Sequence, residues 1–140
     1  RTLIYSKIKY KIKGEKNSFR HPFNLNLRDI KKKKEIIIVE SQGCVLSLFQ
    51  AGIRNCLCLF GISLSNEQLS SLIALDLAKI IIATNKDHGP GIIAADKLQR
   101  RLWKFFDKRQ VEIRLPPNKD FNETILEKDG VESIKNWYNK

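Results

Sequence analysis

The sequence has no methionine, three cysteines, two histidines and no apolar run near the ~20 residues that a membrane span requires. Its longest apolar stretches lie at residues 57–60 and 80–83, so no membrane partner is expected. No secretory leader pattern opens it. An odd set of cysteines, Cys44, Cys56 and Cys58, offers no paired disulfide framework and points to a reduced, cytoplasmic setting. A zinc site wants a two-residue gap in a loop plus two further ligands. Cys56 and Cys58 have neither and read as small core residues. His21 and His88 have no partner pattern. Gly89-Pro90-Gly91 is not a phosphate loop of the G-x-x-x-x-G-K type and reads as a break before a helix. Beginning at Arg1 and lacking methionine, the chain reads as a piece of something longer.

What is abundant is positive charge. The 140 residues carry a formal net charge of +11, and a basic balance of that size calls for a polyanionic partner. Residues 1–34 hold twelve Lys and Arg against Glu15 and Asp29, so the excess sits at the front of the chain. Within it Ile8, Tyr10 and Ile12 alternate with Lys7, Lys9, Lys11 and Lys13, the period of a half-buried strand with a lysine face. Residues 14–17 suit a hairpin turn, and Phe19, His21, Phe23, Leu25 and Leu27 alternate again. Pro22 restricts that second run to an edge or an extended segment. Lys31–Lys34 read as a charged link. Lys7, Lys9, Lys11, Lys13, Arg20, Arg28, Lys31 and Lys32 are therefore candidates to neutralise phosphates, with Tyr10, Phe19 and Phe23 placed to stack bases. The plainer alternative is a solvated edge protected by its lysines.

From residue 35 the rhythm changes to alternating strands and helices. Apolar runs at 36–39, 56–60 and 80–83 are what strands covered on both faces require, and Val111-Glu112-Ile113-Arg114-Leu115 reads as a fourth strand. Helical spacing follows at 45–49, stopped by Gly52, then after Ser65 with Gln68 at the capping-box position, and again at 90–107. The last of these puts Ile92, Ala95, Leu98, Leu102, Phe105 and Phe106 inward. Lys97, Arg101, Lys104 and Lys108, with Arg100 beside them, form its charged face, and Trp103 and Trp137 read as packing residues. One or two short helices are expected over 122–139. Helical crossovers between buried strands require a parallel sheet, so the body is α/β.

In an open parallel sheet, ligands bind beyond the carboxyl ends of the strands. Glu40, Asp87 and Asp120 fall there, after the first, third and fourth strands. Carboxylates converging from separate strands suit a hard, oxygen-preferring cation such as Mg²⁺, which shares its coordination sphere with water and substrate phosphates. The alternative is that such acids simply cap helices.

These same residues carry a family resemblance. The run Val39-Glu40-Ser41-Gln42-Gly43-Cys44-Val45-Leu46-Ser47-Leu48, with Gln50-Ala51-Gly52-Ile53, resembles the opening toprim motif of DnaG-type DNA primases. Phe60-Gly61 with Leu64-Ser65 and Gln68 resembles its second segment. Residues 80–87 resemble the strand bearing its D-x-D, and residues 115–120 its closing "LP…KD". The resemblance covers about residues 36–122. It implies a toprim (Rossmann-like) α/β domain over 35–140, with a central parallel four-stranded sheet flanked by helices. Residues 1–34 would then be a basic β-hairpin-like segment touching template.

By the resemblance Glu40 is the catalytic glutamate and a metal ligand, and Asp87 and Asp120 bind Mg²⁺ (or Mn²⁺). Gly43, Gly61, Ser63, Lys86 and Lys119 approach nucleotide phosphates, with Ser65 beside Ser63. The implied activity is synthesis of RNA primers on single-stranded DNA from nucleoside triphosphates, in a bacterial or phage setting, with a replicative helicase as a further partner. Two positions depart from the pattern. The family's aspartate four residues after the glutamate is Cys44, and the first aspartate of D-x-D is Asn85, which offers a carbonyl oxygen without charge. The alternatives are a degenerate, non-catalytic DNA-binding module and a toprim nuclease or topoisomerase fragment. A topoisomerase would need a tyrosine nucleophile on another domain.

Overall fold

The computed structural model describes residues 26–140. The expected hairpin, with Lys7, Lys9, Lys11, Lys13, Arg20 and the aromatic Tyr10, Phe19 and Phe23, lies outside the described residues.

Four short runs of β-branched and small apolar residues form one sheet: β1 (Glu35–Val39), β2 (Cys56–Cys58), β3 (Lys79–Ile82) and β4 (Val111–Ile113). Every pair is parallel and the order is β2-β1-β3-β4. Ile37 stands beside Cys56 on one side and Ile81 on the other, and Ile81 beside Glu112. Alternate residues of the central strands supply two cores. Ile36, Ile38, Leu57, Ile80 and Ile82 face one way, and Ile37, Val39, Cys56, Cys58 and Ile81 face the other. All ten are fully buried, and burying each large aliphatic side chain contributes about 1.5–3 kcal/mol. Cys56 and Cys58 are indeed core residues on one face. Burial pushes both thiols up, that of Cys58 to about 12, so neither is a thiolate near neutrality.

Helices cover both faces. On the first lie α3 (Asn66–Ala74) and α4 (Pro90–Leu102); on the second, α2 (Gln42–Gln50), α5 (Phe121–Leu126) and α6 (Gly130–Tyr138). Ser65 caps α3 with the reciprocal Gln68 bond that its spacing predicts. Gly52, at φ +82°, lies just past the end of α2. Trp137 is buried against Phe121, ring centroids 4.8 Å apart and edge-on.

Two stretches differ from expectation. Leu27 continues no extended run, and Lys31–Lys33 are not a link: Leu27–Lys33 is a helix, α1, ended by Lys34 in the left-handed conformation. The cause is Ile30, which is fully buried against the first core face and makes one turn amphipathic despite four successive lysines. The long helix also ends at Leu102 rather than 107. Its apolar stripe is Ala94, Ala95, Leu98 and Leu102, while Ile92 and Phe105 are 45% and 53% exposed. The spacing counted apolar residues at both ends that have no neighbour to cover them.

The basic face of α4 is largely spent on structure. Arg101 donates to the Leu64 carbonyl and, at 2.6 Å, to Asn66. Arg100 pairs with Asp96, and Lys108 lies over the Trp103 ring. Beyond β4, Arg114 binds both oxygens of Glu112 (2.7 and 3.0 Å) and the carbonyls of Trp137 and Tyr138, fastening α6 to the sheet edge.

Candidate active site

With order β2-β1-β3-β4, the crossovers leaving β1 and β3 run in opposite directions. The crevice between their carboxyl ends is the switch point of the sheet, where ligands of such folds bind. Glu40 follows β1 directly and its carboxylate Oε1 accepts the Asn85 N–H at 2.9 Å, bridging the switch point from the β1 side to the β3 side. Its own carbonyl accepts the Gly61 N–H at 3.1 Å, tying it to the exit of β2. Half-buried there, Glu40 has its carboxyl pKa raised. Loss of water is the main cause, the negative charges of Asp87 and Asp120 add to it, and the Asn85 N–H opposes it. Glu40 thus lies within electrostatic reach of Asp87 and Asp120.

Asp87 closes the turn after β3. Its Oδ1 accepts from Gly89 N (3.2 Å) and Gly91 N (2.8 Å), and so caps the start of α4. Thr84, buried below, donates to the Gly91 carbonyl at 2.8 Å. Gly91 must be glycine, because a methyl group there would collide with the Asn85 carbonyl oxygen and stand 3.0 Å from its carbon. The Lys86 N–H binds the Lys119 carbonyl at 2.6 Å, joining this turn to the segment leaving β4. Asp120 then caps α5, its Oδ1 accepting the Glu123 N–H at 2.8 Å.

The helix-capping alternative therefore holds for Asp87 and Asp120, yet it does not exhaust them. Among the described residues each accepts through Oδ1 only and neither is in an ion pair. Among the described residues, no three acid, Cys or His side chains close on a single point. The donor set of carboxylate oxygens with no nitrogen ligand fits a hard cation that brings water and phosphate as its remaining ligands; it does not form a closed protein cage.

The other predicted residues divide. Lys86 and Lys119 are exposed and, among the described residues, make no ion pair. Gly61 is exposed, with open space where a side chain would stand. Gly43 is packed differently: the Asn122 side chain fills its missing Cβ position, within 2.6–2.7 Å, which lets α2 pack on α5. Ser65 is used in its cap, and Ser63 is exposed, with no hydrogen bond among the described residues. Arg28, Lys31 and Lys32 stand exposed on α1 and, among the described residues, carry no ion pair. Cys44, in the family's aspartate position, is buried. Its thiol lies 3.4 Å from the Ser41 hydroxyl and near the first amides of α5, and burial raises its pKa.

The sequence reading passed over Thr84, Gly91 and Asn122, which hold the two acid-bearing loops. Gly91 was visible only as a chain breaker, since nothing local announces the approach of Asn85. Ser41 was findable: it stands three residues before Cys44, whose N–H it accepts as the cap of α2.

The raised pKa of Glu40 has a measurable consequence. A carboxyl whose folded pKa lies above the unfolded value of about 4.5 leaves the fold unpenalised below that pH. It costs stability progressively as pH rises through the folded pKa, and the cost is constant above it. Glu40→Gln keeps an acceptor for the Asn85 N–H and removes the charge. It is expected to melt higher than the wild type at pH 7, with the gap closing towards pH 4; a gap independent of pH in thermal melts across that range would refute this.

A parallel four-stranded sheet with acids beyond β1, β3 and β4 and exposed lysines beside them defines an α/β domain whose charged groups gather at the switch point. Residues 34–115 match the Toprim domain family, and the chain belongs to that family. Among curated proteins it is 32% identical over 99 residues to a DNA primase of Synechocystis, a match covering 69% of this chain and 16% of the relative. Its fold is similar to the RNA polymerase domain of Mycobacterium tuberculosis primase DnaG, with TM-score 0.69, 22% identity, and 84% and 39% of the two chains covered. It is likewise similar to the zinc-binding and RNA polymerase domains of Aquifex aeolicus primase, with TM-score 0.63, 27% identity, and 80% and 27% covered. The chain thus spans about a sixth of the curated primase and under half of the solved ones.

Proposed function

We propose that this toprim domain serves a DNA primase, performing cation-dependent nucleotidyl transfer that joins ribonucleotides on a single-stranded DNA template. The observation that supports it most is Glu40 bridging the switch point while its charge is coupled to Asp87 and Asp120. Asp87 and Asp120 would hold Mg²⁺ or Mn²⁺ through the oxygens their caps leave open, with Asn85 adding an uncharged carbonyl. The cation supplies charge stabilisation to the reacting phosphates. Glu40, its Oε1 held by Asn85, offers Oε2 to a ligand or a proton at a site where proton affinity is already enhanced. Lys86 and Lys119 meet nucleoside triphosphate phosphates.

Template contact would fall to the basic front: Lys7, Lys9, Lys11, Lys13 and Arg20, continued by the exposed Arg28, Lys31 and Lys32 of α1. The mycobacterial domain has been solved with double-stranded DNA and with a duplex bearing a single-stranded overhang, which favours a nucleic-acid partner here too. A replicative helicase is the further partner this reading carries.

The test is a Mg²⁺ and Mn²⁺ titration with single-stranded DNA present, wild type beside Glu40→Gln and Asp87→Asn. Saturable binding lost in both variants supports the reading. Absence of cation binding, with DNA affinity unaltered, favours the second reading, a non-catalytic DNA-binding module. That reading is motivated by Cys44, by Asn85 and by the unclosed acid set. Cys44→Asp with Asn85→Asp separates the two: if restoring both acids alters neither cation binding nor activity, the site was not a working cation site.

A further inference from the structure

Two exposed features on opposite faces of the sheet complement each other in shape and charge. The first is a groove of about 360 Å³ between α4 and the loop joining β2 to α3. Its floor is the buried Leu64, Ala94 and Leu98. Its walls are Ile62 and Ile93, 50% and 55% exposed, with Pro90 at the start of α4. Ser63, Lys97 and Arg101 complete the lining. Arg101 is committed to the Leu64 carbonyl and to Asn66. The charge that the groove presents is therefore that of Lys97, which is exposed and, among the described residues, in no ion pair. Its neighbour Asp96 is paired with Arg100.

The second feature is the end of α5. Leu126, its last residue, is 85% exposed, the most of the large apolar side chains described. Glu123 lies three residues before it, on the same side of the helix, and Glu127 and Asp129 follow; all three acids are exposed. Three acids against Lys128 leave residues 123–129 with a net charge of −2. Glu127 accepts a bond from the Asn118 amide, which is uncharged and leaves that carboxylate uncompensated. Because α5 packs on the second core face and α4 on the first, Leu126 cannot reach the groove of its own molecule.

The lining decides among occupants. It holds no aromatic ring and few uncommitted polar groups, so a nucleobase would lose water from its donors and acceptors without replacing it. Two grooves set face to face would oppose Lys97 to Lys97, and two α5 ends would oppose their glutamates. A groove facing an α5 end instead buries Leu126 between Ile62 and Ile93 and brings carboxylates to Lys97. We propose that a second copy of this chain docks head to tail, its Leu126 in the groove and its acidic flank against Lys97. Each molecule offers both halves of this contact, so it propagates from copy to copy and does not close as a symmetric pair. One inserted side chain and its rim bury less than the ~1,200 Å² of standard complexes, so the association is weak and grows with concentration. No residue of the candidate cation site enters the contact, and the inference stands apart from the nucleotidyl-transfer reading.

The experiment is analytical ultracentrifugation of the full chain at rising concentration and low salt, as wild type, Leu126→Asp, Ile93→Asp and Lys97→Glu. All three positions are exposed, and melts matching the wild type verify folding. The expected result is a wild-type average mass that climbs without a plateau at the dimer, and association at least about tenfold weaker in each variant. Mixing Leu126→Asp with Ile93→Asp supplies one intact groove and one intact α5 end, and should yield dimers that neither variant forms alone. A wild type that stays monomeric throughout overturns the inference. So does self-association unmoved by the variants, or a mixture that stays monomeric while the wild type associates, because the copies then meet through another surface. Single-stranded DNA affinity lost in Ile93→Asp and Lys97→Glu, with self-association unchanged, assigns the groove to nucleic acid and overturns it as well.

Discussion

Gly91→Ala is expected to destabilise the domain by about 1–3 kcal/mol and to displace Asp87 from its rim position. The added methyl has nowhere to go. It meets the backbone of Asn85, not the end of a flexible side chain, so either the turn or α4 must move. Helix propensity works the other way, since alanine is favoured over glycine by roughly 0.5–1 kcal/mol in a helix, and the collision has to exceed that gain. Moving the turn loosens both Asp87 bonds and the Asn85 N–H that Glu40 accepts, so fold and cation site suffer together. Ile92→Ala, one residue on at a half-exposed position, is the matched comparison and should cost under about 1 kcal/mol. Chemical denaturation of the pair beside the wild type decides the matter: equal midpoints would mean that the turn accommodates the methyl.

Phe121→Ala is expected to cost about 3–5 kcal/mol. Phe121 is completely buried, makes the edge-on contact with Trp137 and anchors α5 to the second core face. Aromatic pairs of this kind add about 0.5–1.5 kcal/mol beyond the area they bury. Because α5 has only six residues, little else holds it, and its cap residue Asp120 should lose its place as the anchor goes. Phe121→Leu keeps most of the volume and should cost markedly less. If the two variants unfold at the same denaturant concentration, the loss is not one of packing volume.

The strands were legible because their apolar runs are nearly uninterrupted, and a run such as Ile36-Ile37-Ile38-Val39 has one economical solution, a strand covered on both faces. From strand order alone came the placing of Glu40 within reach of Asp87 and Asp120. Helix ends were less legible. Ile92 and Phe105 fit the α4 period but not its neighbours, and α1 hid behind four lysines because one buried Ile30 decides it. Least legible were Thr84, Gly91 and Asn122, whose roles depend on backbone and side chains brought from elsewhere in the fold. Gly43 adds to these: beside its place in the motif, the space it leaves is occupied by Asn122, which no local pattern announces.

Asp87 and Asp120 each hold the start of a helix as well as facing the rim. Drift that erased the chemistry would still be resisted at both positions, because losing either acid frees a helix end. Their presence is therefore poor testimony that a toprim domain still works. Glu40 is the opposite case. Loss of water and its acidic neighbours oppose its charge, so the fold gains nothing from a carboxylate there that a neutral acceptor for the Asn85 N–H would not give.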